Sequence, residues 1–383
     1  MENLFIISFA IILYIYIGYP VYAYLCAKVI KNAVAKDKAY KPFVSIVFSV
    51  YNEEAHLVRK IDNLLAQKYP RERIEILIGS DGSADGAGEI LSRRAGDNIH
   101  VFLFEKRRGK VSVLNEIVPQ AKGEIIVFCD VRQMFDENAI NELVANFSDT
   151  HIGCVSGELI FSGNKNCTGT SEGVGVYWNY EKFIRKWESA IHSMVGATGA
   201  IYAIRKELYT QPPANTILDD VYIPLSIARR GYRCIWEPAA RAYDAPAYTP
   251  KEEYRRKVRT LAGNYQIFCL FFDLLVPFAK PVNMALFSHK LLRVIAPFFL
   301  FLFLISNIAL WQNHVCAFFL IIQAIFYGLA LTGYFTSGGT RKGLFTRICA
   351  ACYMFCLMNF TAVVGLYRFL FKKQSIAWEK ASN

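Results

Sequence analysis

Apolar positions fall along the 383-residue chain in three regimes. Residues 4–30 form one continuous, tyrosine-rich apolar run, long enough to cross a bilayer. From Phe43 to about Ala262, short β-branched runs alternate with segments of helical period. Long apolar runs return at residues 291–310, 315–335 and 348–371, each of spanning length. The pattern predicts a transmembrane anchor over 1–38, an α/β domain over 39–262, an interfacial segment over 263–290, transmembrane helices over 291–373 and a tail over 374–383.

Within the middle regime, Val44–Val50 has the apolar, β-branched character of a buried parallel strand. Residues 54–67 set Leu57, Ile61, Leu64 and Leu65 at helical spacing, and Tyr69-Pro70 ends the helix. Residues 74–78 read as the next strand. Strand, helix and strand follow at 100–104, 110–121 and 124–130, and a further strand at Ile152–Phe161. Residues 173–193 form an amphipathic helix with Trp178, Phe183 and Trp187 as its bulk; 220–230 form a helix closed by Gly231. Such an order predicts parallel pairing, with ligands bound beyond the carboxyl ends of the strands. Two of those ends are acidic, Tyr51-Asn52-Glu53-Glu54 and Ser80-Asp81-Gly82-Ser83-Ala84-Asp85. Carboxylates there suit a nucleotide's base and ribose, or a metal holding its phosphates. Polar loops of an ordinary doubly wound domain are the alternative.

Topology follows from the cations. None precedes the first span, whereas Lys28, Lys31, Lys36 and Lys38 follow it, which predicts an external N-terminus and a cytoplasmic 39–262 domain. The run lacks the basic start and small-residue cleavage site of a secretory signal, so an anchor is expected. Residues 267–278 are apolar but short, include Asp273 and end near Pro277 and Pro281, which predicts a helix lying on the membrane. The Trp311-Gln312-Asn313 link is expected outside, and Arg341, Lys342 and Arg347 inside. Four spans would then carry Lys372 and Lys373 outside, against the rule, unless the last segment does not cross.

Composition supports a multi-pass protein of the cell (inner or plasma) membrane: 54% of residues are hydrophobic and mean hydropathy is +0.24. The net charge of +11 suits lipid headgroups and anionic substrates. Nucleic acid is not the expected partner, because apolar spans claim both ends. The ten cysteines show no disulfide framework. Cys26, Cys269, Cys316, Cys349, Cys352 and Cys356 lie in or beside apolar runs as small hydrophobes, the Cys349-x-x-Cys352 pair included. No intramembrane acid–base pair marks a permeation path, which argues against a transporter.

Three further constellations carry chemistry. Glu105-Lys-Arg-Arg-Gly109-Lys110 leads into a helix, where cations and backbone N–H groups can meet phosphate, although a solvated basic face has the same pattern. Asp130 ends an apolar strand and can hold Mg²⁺ or Mn²⁺ or simply cap the next turn. Asp219-Asp220 stands at a helix start, where Asp220 stays ionised to accept a proton, while N-capping by Asp219 is the simpler role.

Together these residues resemble the family 2 glycosyltransferases of GT-A fold, in particular the membrane-embedded branch of cellulose, hyaluronan and chitin-oligosaccharide synthases. The resemblance covers about residues 43–266. It runs in order through Val44-Ser45-Ile46-Val47 with Asn52-Glu53-Glu54, Ser80-Asp81-Gly82-Ser83-x-Asp85, Gly109-Lys110-x-x-x-Leu114-Asn115 and Asp130. It continues through Gly196-Ala-Thr-Gly199-Ala200 with Arg205, then Leu218-Asp219-Asp220, then Arg256-x-x-Arg259. It implies a Rossmann-like, mostly parallel mixed sheet and an inverting hexosyltransferase using a nucleoside-diphosphate sugar, a UDP-sugar foremost. Asn52, Glu53 and Asp81 would hold the nucleoside and Lys110 its ribose and phosphates. Asp130 would hold Mg²⁺ or Mn²⁺, Asp220, beside Asp219, would be the general base, Gly196, Thr198 and Gly199 would line the acceptor site, and Arg256 and Arg259 would contact diphosphate and acceptor.

Two departures matter. The second acid of the family's Asp-x-Asp motif is Arg132, which cannot ligate a cation but can offset diphosphate charge. The Trp of the Gln-x-x-Arg-Trp motif is Thr260, with Arg256 in place of Gln, which removes a stacking face for a sugar. The expected reaction is therefore transfer of one sugar or a few to a lipid-linked or saccharide acceptor in surface polysaccharide synthesis. A processive, exporting synthase and a catalytically degenerate membrane scaffold are the alternatives.

Overall fold

A computed structural model describes residues 1–30, 32–161, 169–244, 250–336 and 343–374. The chain divides into two compact units, one built on a β-sheet and one on long helices. Lys31, Arg341, Lys342 and the 375–383 tail, all named above, lie outside the described residues.

The first unit is organised by an eight-stranded sheet. Its strands are β1 Val44–Val50, β2 Ile74–Asp81, β3 Ile99–Phe104, β4 Ile125–Cys129, β5 Met134–Phe135, β6 Ile152–Phe161, β7 Ile201–Arg205 and β8 Arg233–Asp244. The spatial order is β3-β2-β1-β4-β7-β6-β8-β5. The β3-β2-β1-β4 half is parallel, as the strand–helix–strand pattern requires, while β7 runs antiparallel to both β4 and β6. Val44, Ile46, Phe48, Ile76, Ile78, Ile125 and Val127 are fully buried, because both faces of this half are covered. The register sets Val50 opposite Ser80, so the two acidic turns beyond β1 and β2 emerge side by side.

Helices begin and end close to the expected positions: Glu54–Leu65, Lys110–Ile117 and Asp219–Arg229. The expected 110–121 helix tightens into a 3₁₀ turn at Val118–Gln120 where Pro119 falls. The sequence pattern does not predict strands β5, β7 and β8. β8 contains Pro238, and its register against β6 jumps from Trp236 to Arg241, a bulge that hides the strand from a period-two reading.

The second unit gathers Glu2–Val29, Gly169–Ile191, Pro250–Leu270, Pro281–Ala309, His314–Thr336 and Leu344–Leu370. Four of these are long and apolar enough to cross a membrane: Glu2–Val29, Pro281–Ala309, His314–Thr336 and Leu344–Leu370. Large side chains such as Ile6, Phe301 and Ile321 stand outward and exposed, as a lipid-facing surface requires. The boundaries differ from expectation at two places. Gly169–Ile191 clusters with the apolar helices rather than with the sheet. The 263–290 segment is not one interfacial helix: its start completes Pro250–Leu270, a short turn follows at Phe272–Leu275, and Pro281 opens the next long helix. Proline at a first helical turn starts a helix rather than breaking one.

Lys60 is wholly buried on the inner face of Glu54–Leu65. Its Nζ donates to the Gln133 carbonyl at 2.6 Å and lies 4.2 Å from the Phe135 ring centre. Burial pulls this ammonium below the ordinary lysine range. It ties the helix to the loop that follows β4. Replacing Lys60 with Met keeps the volume but strands the Gln133 carbonyl, which costs about 1–3 kcal/mol; the check is a lowered unfolding midpoint of the full chain in detergent.

Candidate active site

The two acidic turns are clasped to each other. Asn52 takes a left-handed backbone conformation (φ 52°), which asparagine tolerates better than most residues. Its Oδ1 accepts from Ala84 N at 2.8 Å, and its own N–H donates to Ser83 Oγ at 3.1 Å. Glu54 N donates to Asp85 at 2.9 Å, and Glu54 in turn accepts from Gly86 N at 3.0 Å. Gly82 has φ 65°, and a Cβ there would lie 2.6 Å from Arg107 N, so the turn needs glycine.

Asp81 closes the next contact. It is buried, and its carboxylate accepts from Arg108 N at 2.6 Å and Gly109 N at 2.9 Å, which fixes the 105–110 loop over the end of β2. Arg107 stacks on Tyr51 at 3.8 Å, and Arg108 lies over Phe104 while its guanidinium meets Glu116 at 2.6 Å. The loop's backbone is thus anchored over the end of β2, while the side chains of Glu105 to Arg108 remain exposed to solvent.

That loop delivers Lys110 to the acids. Its Nζ lies 3.0 Å from Asp130 Oδ1 and 3.2 Å from Asp219 Oδ2. Burial alone would lower this ammonium's pKa, but Asp130, Asp219 and Asp220 hold it above the ordinary lysine range. Residues far apart in sequence therefore converge: one from a helix start, one from the end of β4, two from the first turn of Asp219–Arg229. Asp219 does not act as an N-cap; Leu218 holds that position without a side-chain bond, and Asp219 is buried and turned to Lys110. Tyr202, behind the acids, has its phenol raised well above the usual range by burial and by Asp219 and Asp220.

Arg132 meets Glu53 through Nε at 2.9 Å and a terminal nitrogen at 2.6 Å. Asn52, Glu53 and Asp81, named for the nucleoside, thus also hold the cleft's loops together. The Gly196–Gly199 loop packs on the start of the Asp219 helix: Ala197 N donates to the Asp220 carbonyl at 2.7 Å, and Thr198 N to Ser156 Oγ at 2.9 Å. A Cβ at Gly199 would lie 3.0 Å from Asp220 Oδ2. Arg205 instead serves the framework, donating to the carbonyls of Ile152, Phe147 and Asp149. Arg256 and Arg259 belong to Pro250–Leu270, in the helical unit. Among the described residues, no group of three or more His, Cys, Asp or Glu side chains could hold a metal ion.

Three contributors were not singled out from sequence. Lys60 supports the loop beyond Asp130, and its place on the Leu57, Ile61, Leu64 stripe was a readable signal. Ser156 anchors the Gly196–Gly199 loop, and Tyr209 donates to Asn115 at 2.8 Å beside the segment leading to Asp219.

A parallel half-sheet with acids and a lysine gathered past its carboxyl ends has the layout of the GT-A fold. Residues 45–211 match the family model Glycosyl transferase family 2. This stretch is a family 2 glycosyltransferase domain, and among the described residues the chain also carries four helices long and apolar enough to cross a membrane. The chain is similar to the poly-beta-1,6-N-acetyl-D-glucosamine synthase of Staphylococcus aureus, 23% identical over 229 residues, or 58% of this chain and 55% of that one. It is also similar to glycosyltransferase AglE of Haloferax volcanii, 28% identical over 123 residues, or 32% of this chain and 40% of that one. The chain therefore spans about half the length of the curated relatives it matches, or less. Among solved structures, the mannosyltransferase PcManGT from Pyrobaculum calidifontis, in complex with GDP-Man and Mn²⁺, shares the fold. Its TM-score is 0.74 at 22% identity, over 97% of this chain and 100% of that one.

Replacing Asp81 with Asn turns one acceptor into a donor facing a backbone N–H, so the 105–110 loop loses its anchor. Donor KM is expected to rise by about tenfold or more, with the fold retained, as read by initial rates beside circular dichroism. Gly199→Ala presses a methyl against Asp220 and is expected to lower kcat more than it raises donor KM.

Proposed function

We propose that the chain transfers a sugar, with inversion, from a nucleoside-diphosphate sugar (a UDP-sugar foremost) to a hydroxyl of a lipid-linked or growing saccharide. The setting would be surface or exopolysaccharide synthesis at the cytosolic face of the cell membrane. The observation that carries this reading is the convergence of Asp130, Asp219 and Asp220 on Lys110 at the mouth of a nucleotide-type half-sheet. The relatives' names support a polysaccharide context, and the cations that follow the first span support a cytosolic domain.

In this reading the acceptor oxygen forms a bond to the anomeric carbon as the bond from that carbon to the diphosphate breaks. The electron pair leaves with the diphosphate, and the acceptor's proton passes to Asp220. Two features set positive charge near the Asp220 carboxylate in that role: its place in the first turn of a helix and the nearby Lys110 ammonium. Lys110 and Arg132 oppose charge on the departing diphosphate. The donor set fits Mg²⁺ or Mn²⁺ held by Asp130 with phosphate oxygens and water, because the Asp130 side chain is 44% exposed. Bound there, the ion would supply further positive charge to the leaving group.

A processive synthase is the second reading, favoured by the Staphylococcus aureus relative. Against it, the four candidate spans among the described residues make a thin wall for a water-filled polymer path. Products of one or a few sugars are therefore expected from purified enzyme and donor, and a ladder of long chains would overturn that part. Asp220→Asn is expected to lower kcat by about a thousandfold with donor KM little changed. Excess EDTA should abolish turnover, with Mg²⁺ or Mn²⁺ restoring it; undiminished rates would remove the metal from the scheme.

A further inference from the structure

The helix that delivers Lys110 is seated with little freedom. Val111, Val113, Leu114 and Ile117 are buried, and Gly79 on β2 lets them approach closely, because a Cβ there would overlap Val113 Cγ1. Asn115 stands on the same helix, half-buried, with its side chain engaged at both ends. Its Oδ1 accepts from Tyr209 Oη at 2.8 Å, and its Nδ2 donates to the Pro212 carbonyl at 2.8 Å. Its own carbonyl accepts from Gln211 Nε2 at 3.2 Å. One residue thus grips the 209–212 segment at Tyr209, Gln211 and Pro212. The chain beyond is short and tight. Thr216 N donates to the Pro213 carbonyl at 2.8 Å, Thr216, Ile217 and Leu218 are buried, and Asp219 and Asp220 open the next helix.

Tyr209 carries this grip toward the acids. Its ring lies 6.2 Å from that of Phe128, which stacks on Tyr202 at 4.7 Å and belongs to the strand that leads into Asp130. Burial, and then the charge of Asp219, raise the Tyr209 phenol above its usual range, so it stays protonated and donates to Asn115. Asp219 has little else to fix it. Its Oδ2 is buried, lies 3.2 Å from the Lys110 ammonium and, among the described residues, has no hydrogen-bond partner. The spacing of Lys110 and Asp219 therefore depends on where the 209–218 segment lies against the Lys110 helix.

We propose that Asn115 is a positioning residue: through the 209–218 segment it sets the spacing between Lys110 and the Asp219–Asp220 pair. This rests on the reading above in which Lys110 opposes diphosphate charge and Asp220 accepts the proton. The full-length chain in detergent is compared with Asn115→Ala, Asn115→Asp, Tyr209→Phe and the Asn115→Ala/Tyr209→Phe double variant. Without donor, Asn115→Ala is expected to speed amide hydrogen exchange at Thr216, Val221 and Tyr222 by about tenfold, with β1 and β2 unchanged. UDP with Mg²⁺, titrated by calorimetry, should bind within about twofold of wild type, since the turns beyond β1 and β2 are untouched. With pooled UDP-glucose, UDP-galactose and UDP-N-acetylglucosamine, kcat for UDP release should fall about a hundredfold in Asn115→Ala, the scale of a small misplacement, with KM little changed. Asn115→Asp keeps the acceptor for Tyr209 and loses the donor to Pro212, so it should retain part of the rate. Tyr209→Phe, which removes one hydrogen bond, should fall about tenfold. The double variant should be no slower than Asn115→Ala alone, because the two residues act as one unit. If Asn115→Ala does not fold, Tyr209→Phe decides the question. Exchange rising equally across β1 and β2, UDP affinity falling in step with kcat, or rates within about twofold of wild type in the folded variants would overturn the proposal. Should the wild-type chain release no UDP from the pool, the donor reading fails and the exchange result alone decides the role of Asn115.

Discussion

The sheet unit depends on one electrostatic constraint: carboxylates drawn together at the ends of parallel strands must be neutralised without being filled in. Like charges in a partly desolvated cleft repel strongly. Lys110 answers that repulsion, bridging Asp130 and Asp219 with Asp220 beside them. A lysine suits this role because its ammonium is a compact charge on a flexible stem, able to shift when a larger anion or a metal enters. If the chain takes a nucleoside-diphosphate donor as proposed, the same charge is available to its diphosphate.

Holding that ammonium in place takes a chain of local devices. The parallel register sets the turns beyond β1 and β2 together, and Asn52, Ser83, Glu54 and Asp85 lock them. Asp81 then spends both oxygens on the backbone of the loop that ends in Lys110. Each link is a hydrogen bond from a backbone N–H to a polar side chain, the Gly109 N–H on Asp81 being buried.

The parts of this arrangement legible in sequence are those with local signals. The β-branched run at Val44–Val50, the helical stripe through Leu57 and Leu64, and the acids that end apolar strands report themselves through periodicity and position. Long-range pairings do not. Nothing local tells that Arg132 would turn to Glu53, that Ser156 would hold the Gly196–Gly199 loop, or that Gly169–Ile191 would leave the sheet for the apolar helices. Pro281 misled because proline ends helices and begins them with equal ease, and only the following residues decide. β8 escaped notice because a bulge broke its alternation.

The bond between Arg132 and Glu53 constrains what substitutions the cleft can accept. The Glu53 side chain is only 8% exposed, and its Oε1 takes both nitrogens of the guanidinium. An acidic residue at 132, the change that would recreate a two-carboxylate motif, would leave two anions facing each other with little water between them. A lineage moving between the two forms would therefore do better to alter position 53 first or both together, and covariation of these two sites would be its trace.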